Sequence, residues 1–300
     1  MIASPSVSGH AATTAPTRSL RTRVLAGTAA VVAGTLGLVG CAKDPDPVPT
    51  TAAGGSTSSE GSAVSADARL ISPGKLLTCT HTAFRPFEYP EGDQIVGFDI
   101  DLANWVAKKV DATVEVVDIP FDQITSGAAF AAKRCDLGAA AITMNDKRRS
   151  VLAFSDSYFE STQALLTKEG AGYQDLASLK GKRLAVQTDT TGQDYAEKNK
   201  ADNGYTTVVF EDSTSVANAV LSGAVDAGLN DNAVMLYFAK NNPTTQVVKE
   251  IPTGEQYGLA VAKDNPGLLK VVNEALRTAR SDGTYDAAYE KYFGTKPQAQ

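Results

Sequence analysis

The sequence contains few residues of the types that build metal centres or nucleophilic active sites. Among 300 residues there are two histidines, His10 and His81, and three cysteines, Cys41, Cys79 and Cys135. A metal site with several imidazole ligands is therefore impossible, and three thiolates cannot form a zinc site of four cysteines. A Ser/His/Asp hydrolase would have to use His81. No GxSxG, HExxH, P-loop or CxxC motif is present either, so we expect no catalytic centre of those kinds and no cofactor.

Basic residues are outnumbered by acidic ones. Lys and Arg total 28 against 34 Asp and Glu, which gives a net charge of −6. An acidic surface repels the phosphate backbone, so a nucleic-acid partner is not expected. Apolar residues at 43% and charged residues at 21% are typical of packed globular proteins, and the length fits about two domains.

The N-terminal apolar stretch, from Val24 to Gly40, contains four glycines and is short for a membrane-spanning helix. It follows Arg18, Arg21 and Arg23, and a positive segment before a short apolar run is typical of an export signal. The stretch ends in Leu38-Val39-Gly40-Cys41, which resembles the lipobox of bacterial lipoproteins. The resemblance implies a signal peptide over 1–40 and a diacylglyceryl group on Cys41. The alternative is an ordinary membrane anchor with an incidental cysteine.

Residues 41–72 are rich in Pro, Thr, Ser, Ala and Gly and show no periodic apolar pattern. This composition predicts a disordered tether. Folded structure is expected after it.

Short apolar runs alternate with helical patterns in the rest of the chain. Leu76–Cys79 indicates a buried strand, and apolar residues recur at helical spacing from Phe98 to Val110. A strand over 114–119, a helix over 122–133 and the buried run 137–141 follow. This βαβαβ order predicts a parallel sheet covered on both faces.

A second α/β unit follows Lys180-Gly181-Lys182. Its predicted elements are strands at 183–187, 206–210 and 226–229, helices at 191–199, 215–222 and 233–240, a strand-like run at 256–262 and helices at 266–281 and 285–293. The sequence thus predicts an α/β protein with two units of similar architecture.

Six motifs occur in order along this folded part. They are Phe84-Arg85-Pro86-Phe87-Glu88-Tyr89, Gly97-Phe98-Asp99-Ile100-Asp101-Leu102, Thr143-Met144-Asn145-Asp146-Lys147-Arg148, Phe154-Ser155-Asp156-Ser157-Tyr158, Leu179-Lys180-Gly181-Lys182 and Asp282-Gly283-Thr284-Tyr285. Over residues 75–296 the chain resembles the polar-amino-acid solute-binding proteins of bacterial ABC importers, solute-binding protein family 3. Gln256-Tyr257-Gly258 and Leu236-Tyr237-Phe238 look most similar to the glutamine-binding members.

The resemblance implies two doubly wound lobes joined by two crossover segments, the periplasmic-binding-protein-like fold of type II. Lobe 1 would comprise 73–165 plus 260–296, and lobe 2 would comprise 168–257. The crossings would lie near Leu165–Lys168 and Tyr257–Ala262. Ligand would bind between the lobes, which close by a hinge.

Arg148 follows a predicted strand, where ligands of parallel sheets bind, and a guanidinium holds a carboxylate by two parallel hydrogen bonds. By resemblance, Arg148, Thr143 and the carbonyl of Ala141 bind the ligand carboxylate. From the residues alone, a solvated helix start is the better explanation of an arginine in Asp-Lys-Arg-Arg.

In lobe 2, Thr190-Thr191-Gly192-Gln193 fits a capping box, and free N–H groups at a helix start suit an anion. Simple helix capping is the alternative, and both roles are compatible. Asp231 ends a predicted strand and, by resemblance, accepts the ligand ammonium, although aspartate is also common in such turns for local reasons.

Phe84 and Phe121 match the aromatics that sandwich the ligand side chain in the family, although aromatics at strand ends are more often core residues. His81 departs from the family, which usually has Asp there, and this weakens the case for lysine or arginine as ligand. A histidine also makes the site a candidate for pH sensitivity. Gln187 lies where side-chain contacts also arise. We therefore expect a polar amino acid, with glutamine or glutamate as first guesses.

Cys79 and Cys135 remain as a pair when Cys41 is set aside, in a compartment where disulfides form. They lie on the first strand and at the start of the third, which are neighbours in a sheet of order 2-1-3. A disulfide is predicted, and two buried free thiols are the alternative.

The predicted function is capture of an amino acid by a monomer on the outer face of the cell membrane and its delivery to an ABC permease. One alternative is a dehydratase-like enzyme on the same fold, for which His81 and Glu88 are the unusual acid–base candidates. Another is a sensor that reports to a partner.

Overall fold

The computed structural model describes residues 67–297. The predicted signal peptide, Cys41 and residues 41–66 of the predicted tether lie outside that range. Among the helices of the described part, none combines the length and apolarity needed to cross a membrane.

Twelve strands and nine α-helices form the described part of the chain. The strands are β1 (Lys75–Thr80), β2 (Tyr89–Glu91), β3 (Gln94–Val96), β4 (Thr113–Asp118), β5 (Leu137–Gly138), β6 (Leu152–Phe154), β7 (Phe159–Lys168), β8 (Arg183–Gln187), β9 (Thr206–Phe210), β10 (Ala227–Asp231), β11 (Thr245–Tyr257) and β12 (Ala260–Ala262). The helices are α1 (Phe98–Lys109), α2 (Phe121–Thr125), α3 (Ala128–Ala131), α4 (Asp146–Arg149), α5 (Thr191–Asn203), α6 (Ser213–Ser222), α7 (Asn232–Asn241), α8 (Pro266–Ser281) and α9 (Thr284–Phe293).

Lobe 1 is built on a five-stranded sheet of order β4-β1-β5-β12-β6. β1 pairs in parallel with β4 and β5, whereas β12 runs antiparallel between β5 and β6. Because side chains alternate along a strand, β1 contributes residues to a hydrophobic core on each face of the sheet. Leu76 packs with Phe98 and Leu102 of α1 in one core, and Cys79 packs with Ile124 of α2 in the other. The sheet is therefore covered on both faces.

The predicted helix over 122–133 is two short helices in the structure. Gly127 separates α2 from α3 and has a φ of 77°, a left-handed conformation that interrupts an α-helix. The apolar residues on either side, Ile124 and Phe130, are still buried together. The periodic apolar pattern therefore predicted which residues are buried, but it did not predict the interruption of the helix at Gly127.

Lobe 2 is built on a second five-stranded sheet, of order β11-β7-β10-β8-β9. β8 pairs in parallel with β9 and β10, which repeats the arrangement of β1 between β4 and β5. β7 and β11 then extend the sheet as an antiparallel pair.

The two crossings run through β7 and β11, and the first differs from its predicted position. Residues 163–167 of β7 pair with β10, so Leu165–Lys168 lies within the second sheet and the predicted boundary of lobe 1 at 165 is too late. The crossing lies nearer the Phe159 end, where β7 pairs with Tyr257 at the end of β11. The chain then returns to lobe 1 through Gly258 to β12. Because β7 runs from Phe159 to Lys168 without a glycine or a proline, the sequence contained no sign of this boundary.

The last residues of the predicted tether are part of lobe 1. The Ile71 N–H donates to Asp136 Oδ1 at 2.8 Å, and Asn265 Nδ2 donates to the Arg69 carbonyl at 2.7 Å. Gly267 approaches the carbonyl of Asp67 so closely that a Cβ there would clash. These contacts are made by backbone groups, which leave no pattern in the side chains of residues 67–72.

Cys79 and Cys135 form a disulfide, with their Cα atoms 5.5 Å apart. The bond joins β1 to the residues that enter β5, its neighbour in the sheet. The predicted pairing is thus present in the structure, and the alternative of two free thiols is not.

Replacing both Cys79 and Cys135 with Ala should lower the free energy of unfolding. The separation of 56 residues sets an ideal loop-entropy loss of about 4 kcal/mol, which is an upper figure. Urea unfolding of the oxidised proteins measures it, with Cys41→Ala as the matched control. A double variant with an unchanged midpoint would show that the bond does not constrain the unfolded chain.

Candidate functional site

A pocket between the two lobes contains every residue predicted to bind ligand. Its walls are formed by His81, Phe84, Glu88, Phe121, Ala140, Ala141, Thr143, Arg148, Gln187, Thr190, Thr191 and Asp231. Ala141 and Thr143 follow β5, whereas Gln187 and Asp231 are the last residues of β8 and β10. The pocket therefore lies at the carboxyl ends of strands in both sheets, where parallel α/β proteins bind ligands.

Arg148 reaches across the cleft from lobe 1. Asn145 caps α4 by accepting from the Arg148 N–H at 2.9 Å, which fixes the backbone that carries the side chain. Nη1 of Arg148 donates to the Thr143 carbonyl at 2.8 Å, and Nη2 donates to the Asp189 carbonyl of lobe 2 at 3.0 Å. The side chain is buried, and burial lowers its pKa from the ordinary value while nearby acids, Asp231 first, oppose that change.

Asp231 is the buried acid of lobe 2, and it is held by Gln163 of β7 and by Tyr257 at the end of β11. Gln163 Nε2 donates to Asp231 Oδ1 at 2.6 Å, and the Tyr257 hydroxyl donates to Oδ2. Gln163 Nε2 also donates to Glu255 at 2.9 Å, which brings a second carboxylate close. The pKa of Asp231 is raised to about 7, first by burial and then by the charge of Glu255, while the bonds from Tyr257 and Gln163 act in the opposite direction.

Thr190 caps the start of α5 as predicted, and the Gln193 side chain bonds to the residue before the N-cap. Thr190 Oγ1 accepts from the Gln193 N–H at 3.0 Å, and Gln193 Oε1 accepts from the Asp189 N–H at 2.8 Å. Thr190 Oγ1 also donates to the Gln187 carbonyl at 2.8 Å. Thr190 therefore caps the helix. Because Thr190 and Thr191 also line the pocket, the positive end of the helix dipole faces a space that an anion could occupy.

Ala141 has an unusual backbone conformation that Asp99 stabilises. Its φ is 46°, a left-handed value that an alanine rarely adopts. Asp99 Oδ2 accepts from the Ala141 N–H at 2.8 Å and from the Tyr158 hydroxyl at 2.8 Å. The sequence had placed Asp99 in a motif without assigning it a role, and the structure shows that it positions the pocket wall after β5.

His81 lies between backbone carbonyls of the two lobes. Its Nδ1 is 3.1 Å from the Ile119 carbonyl and its Nε2 is 3.3 Å from the Glu211 carbonyl. A neutral imidazole donates to one of these oxygens, whereas an imidazolium donates to both. Gln187 Nε2 donates to the same Glu211 carbonyl at 3.4 Å.

Further contacts hold the lobes together on the side of Phe84. Ser213 Oγ and Thr214 Oγ1, at the start of α6, donate to the Ala83 carbonyl at 2.7 Å and 3.0 Å. With the bond from Arg148 to Asp189, these contacts give the described chain a closed cleft.

Sequence reasoning missed the groups that support the pocket. Gln163, Glu255 and Tyr257 are far from Asp231 in sequence and meet it only through the pairing of β7 with β10 and β11. Glu88 was considered only as an acid–base candidate for an enzyme, yet it lines the pocket. No cluster of His, Cys, Asp or Glu among residues 67–297 has the arrangement of a metal site.

Comparisons with known proteins identify the family. Residues 76–295 match the bacterial extracellular solute-binding proteins, family 3. The chain belongs to this family. The relatives include the ABC transporter glutamine-binding protein GlnH of Bacillus subtilis, 33% identical over 73% of this chain and 80% of that protein. The predicted family and the predicted type II fold are both confirmed.

Two solved structures are similar to this solute-binding protein over most of the described part. One is an ancestral arginine-binding protein bound to arginine, with a TM-score of 0.70 and 39% identity over 74% of this chain and 99% of that chain. The other is the ancestral amino-acid-binding protein AncCDT-1, a precursor of cyclohexadienyl dehydratase, with a TM-score of 0.68 and 32% identity over 73% of this chain and 96% of that chain.

Asp99→Asn should change how stability depends on pH. Burial raises the pKa of Asp99 from 3.8 to about 7, so between these values the folded chain binds more protons than the unfolded chain. The contribution of Asp99 to the free energy of unfolding therefore falls as pH rises through that window. Asparagine keeps an acceptor for Ala141 and Tyr158 but does not titrate. From pH 4 to pH 8 the stability of the variant should rise relative to wild type by a few kcal/mol, on the order of 1.4 per pH unit.

Urea unfolding at several pH values measures this difference. Asp93→Asn, on the exposed turn between β2 and β3, is the matched control and should follow wild type. Parallel curves for Asp99→Asn and wild type would contradict the raised pKa.

Proposed function

We propose that the protein captures a polar L-amino acid between its lobes and delivers it to an ABC permease. The observation that carries the proposal is the placement of opposite charges in one buried pocket, with Arg148 on lobe 1 and Asp231 on lobe 2. A free amino acid presents a carboxylate and an ammonium that need such partners when they leave water.

Arg148 would bind the carboxylate, together with Thr143 and the N-terminal end of α5. A guanidinium has five N–H donors, and two donations from Arg148 to backbone carbonyls leave donors for a ligand. Asp231 would accept from the ammonium. Each oxygen of Asp231 accepts one hydrogen bond from the protein and retains a lone pair for the ligand.

Ligand binding and closure would be coupled because the two charges belong to different lobes. In an open cleft each group is solvated, and only closure brings both to the same ligand. The difference in contact energy between the open and closed states determines how far the ligand shifts that equilibrium. The bonds from Ser213 and Thr214 to Ala83 add contacts that exist only in the closed form.

The alternative of a dehydratase-like enzyme is favoured only by the likeness to AncCDT-1, whose own description is that of an amino-acid-binding protein. A pocket that holds both charges of an intact amino acid is suited to binding and release without reaction. A turnover assay with purified protein separates the two functions, and a permease gene beside this one would favour transport over a sensor.

Which polar amino acid the protein binds is a separate question. The relatives include proteins described as glutamine-binding and as arginine-binding. Glutamine or glutamate was the expectation from His81 and from Gln256-Tyr257-Gly258. Arg148 and Asp231 would not discriminate between amino acids, because they would contact only the carboxylate and the ammonium that all amino acids share.

Arg148→Ala and Asp231→Ala should each abolish binding of the cognate amino acid at micromolar concentration. Each change leaves one buried ligand charge without a partner, which costs about 2–5 kcal/mol, or about 30-fold to several thousand-fold in affinity. Calorimetric titration with the twenty amino acids measures this and identifies the ligand. Arg149→Ala is the matched control, since Arg149 is the exposed neighbour of Arg148. An Arg148→Ala or Asp231→Ala protein that binds within threefold of wild type would contradict the assignment.

We also propose that lipid on Cys41 anchors the protein to the outer face of the membrane, as the lipobox resemblance implies. Cys41→Ser should appear in the medium or remain an uncleaved precursor, whereas wild type fractionates with membranes. Mass spectrometry of the wild-type protein is the second measurement. An unmodified Cys41 in a chain that begins at Met1 would contradict the anchor.

A further inference from the structure

His81 contacts both lobes, one through each nitrogen of its ring. The residue follows β1 in lobe 1. Its Nδ1 is 3.1 Å from the carbonyl of Ile119, which follows β4 in the same lobe, and its Nε2 is 3.3 Å from the carbonyl of Glu211, which follows β9 in lobe 2. The first contact orients the ring within lobe 1, and the second crosses the cleft. Both partners are carbonyl oxygens, which accept hydrogen bonds and cannot donate them.

Only the protonated ring satisfies both contacts. A neutral imidazole carries one N–H, so its other nitrogen directs a lone pair at an oxygen that also presents lone pairs. An imidazolium donates to both oxygens. In an open cleft the Glu211 carbonyl is withdrawn, and water, which can donate as well as accept, takes its place at Nε2. Closure of the cleft therefore favours the imidazolium over the neutral ring.

The charges around His81 act in the same direction. They are Glu88, Arg148 and Asp231 in the pocket wall, Asp118 and Asp122 on either side of Ile119, and Glu211 and Asp212 after β9. All of these except Arg148 are acids, and neighbouring acids favour a cation. The ring is half-buried, so the desolvation that opposes a charge is incomplete.

We propose that His81 is a positioning residue that couples closure of the cleft to the uptake of a proton. This inference rests on the proposed function and concerns the closure of that same site. Histidine changes charge between about pH 5 and 8, so lowering the pH through this range stabilises the closed form and strengthens ligand binding. The effect acts through the carbonyls of Ile119 and Glu211 and needs no contact with the ligand. An ionised aspartate, the usual residue of the family at this position, could not donate to either carbonyl.

Asp231 titrates in the same range with the opposite effect. Its pKa is raised to about 7, chiefly by burial, so a ligand ammonium that binds the ionised carboxylate would expel a proton. Its contribution weakens ligand binding as the pH falls. Burial also raises the pKa of Glu88 well above the ordinary value. Both acids are present in wild type and in His81→Gln, so the difference between these two proteins reports His81.

Nitrogen NMR can observe the protonation of His81 directly. His81 is the single histidine from Cys41 to the end of the sequence, so labelling the mature chain with ¹⁵N-histidine gives ring signals from this residue alone. The probes are L-glutamine, L-glutamate and L-arginine. Saturation at pH 7 with whichever of them binds should increase the imidazolium fraction. An unchanged or smaller fraction would overturn the proposal.

Calorimetric titration with the same amino acid compares wild type with His81→Gln, whose amide does not titrate. The ratio of the wild-type affinity to that of the variant should increase about tenfold from pH 8 to pH 5.5, the order of one hydrogen bond to a charged group. Ser213→Ala is the matched control, because it removes another bond between the lobes, to the Ala83 carbonyl, without removing a titratable group. The ratio of wild type to this control should be the same at both pH values. A His81→Gln ratio that stays constant or decreases would contradict the coupling.

Small-angle X-ray scattering of the ligand-free proteins distinguishes failure of this proposal from failure of the proposed function. From pH 8 to pH 5.5 the radius of gyration should decrease more in wild type than in His81→Gln. Equal changes in the two proteins would overturn the role of His81. If none of the twenty amino acids binds, the proposed function fails and the scattering still decides the question of closure. If His81→Gln does not fold, the spectra of labelled wild type decide it.

Discussion

Arg148 and Asp231 are buried charges that the two lobes hold toward one space, and the surrounding structure is arranged to make this possible. A buried ion is stable only when hydrogen bonds replace those it makes to water. Arg148 obtains them from the carbonyls of Thr143 and Asp189, and Asp231 obtains them from Gln163 and Tyr257. These donors and acceptors come from both lobes and from the crossings. The closed cleft therefore supplies the hydrogen bonds that replace water around the two charges.

The repeated sheet order explains how the partners reach the same place. In each lobe the first strand of a parallel unit lies between the second and third, and residues beyond the carboxyl ends of these strands face the cleft. Ala141 and Thr143 occupy that position in lobe 1, and Gln187 and Asp231 in lobe 2. The helices pack on the faces of each sheet, which leaves these strand ends free to form the pocket.

Much of this arrangement could be predicted from the sequence, for identifiable reasons. Asp231 ends a buried apolar run, so the local pattern places it at a strand end, and the disulfide follows from the expected sheet order. Arg148 lies on α4, and only the resemblance to the family indicated that it binds ligand. The break at Gly127 and the contacts of 67–72 could not be predicted, because they depend on single dihedral angles and on backbone groups that leave no apolar pattern. Gln163 and Glu88 were missed for a different reason: a polar residue on a strand or turn looks solvent-exposed until distant segments cover it.

Tyr257 belongs both to a crossing and to the environment of the binding acid. Its backbone pairs with Phe159 in the other crossing and forms a bridge with Thr143 in the pocket wall. Its hydroxyl donates to Asp231 and lies 3.0 Å from Ser161 Oγ. Tyr257 therefore links the second crossing directly to the acid in the pocket, so a displacement of either one would change the position of the other.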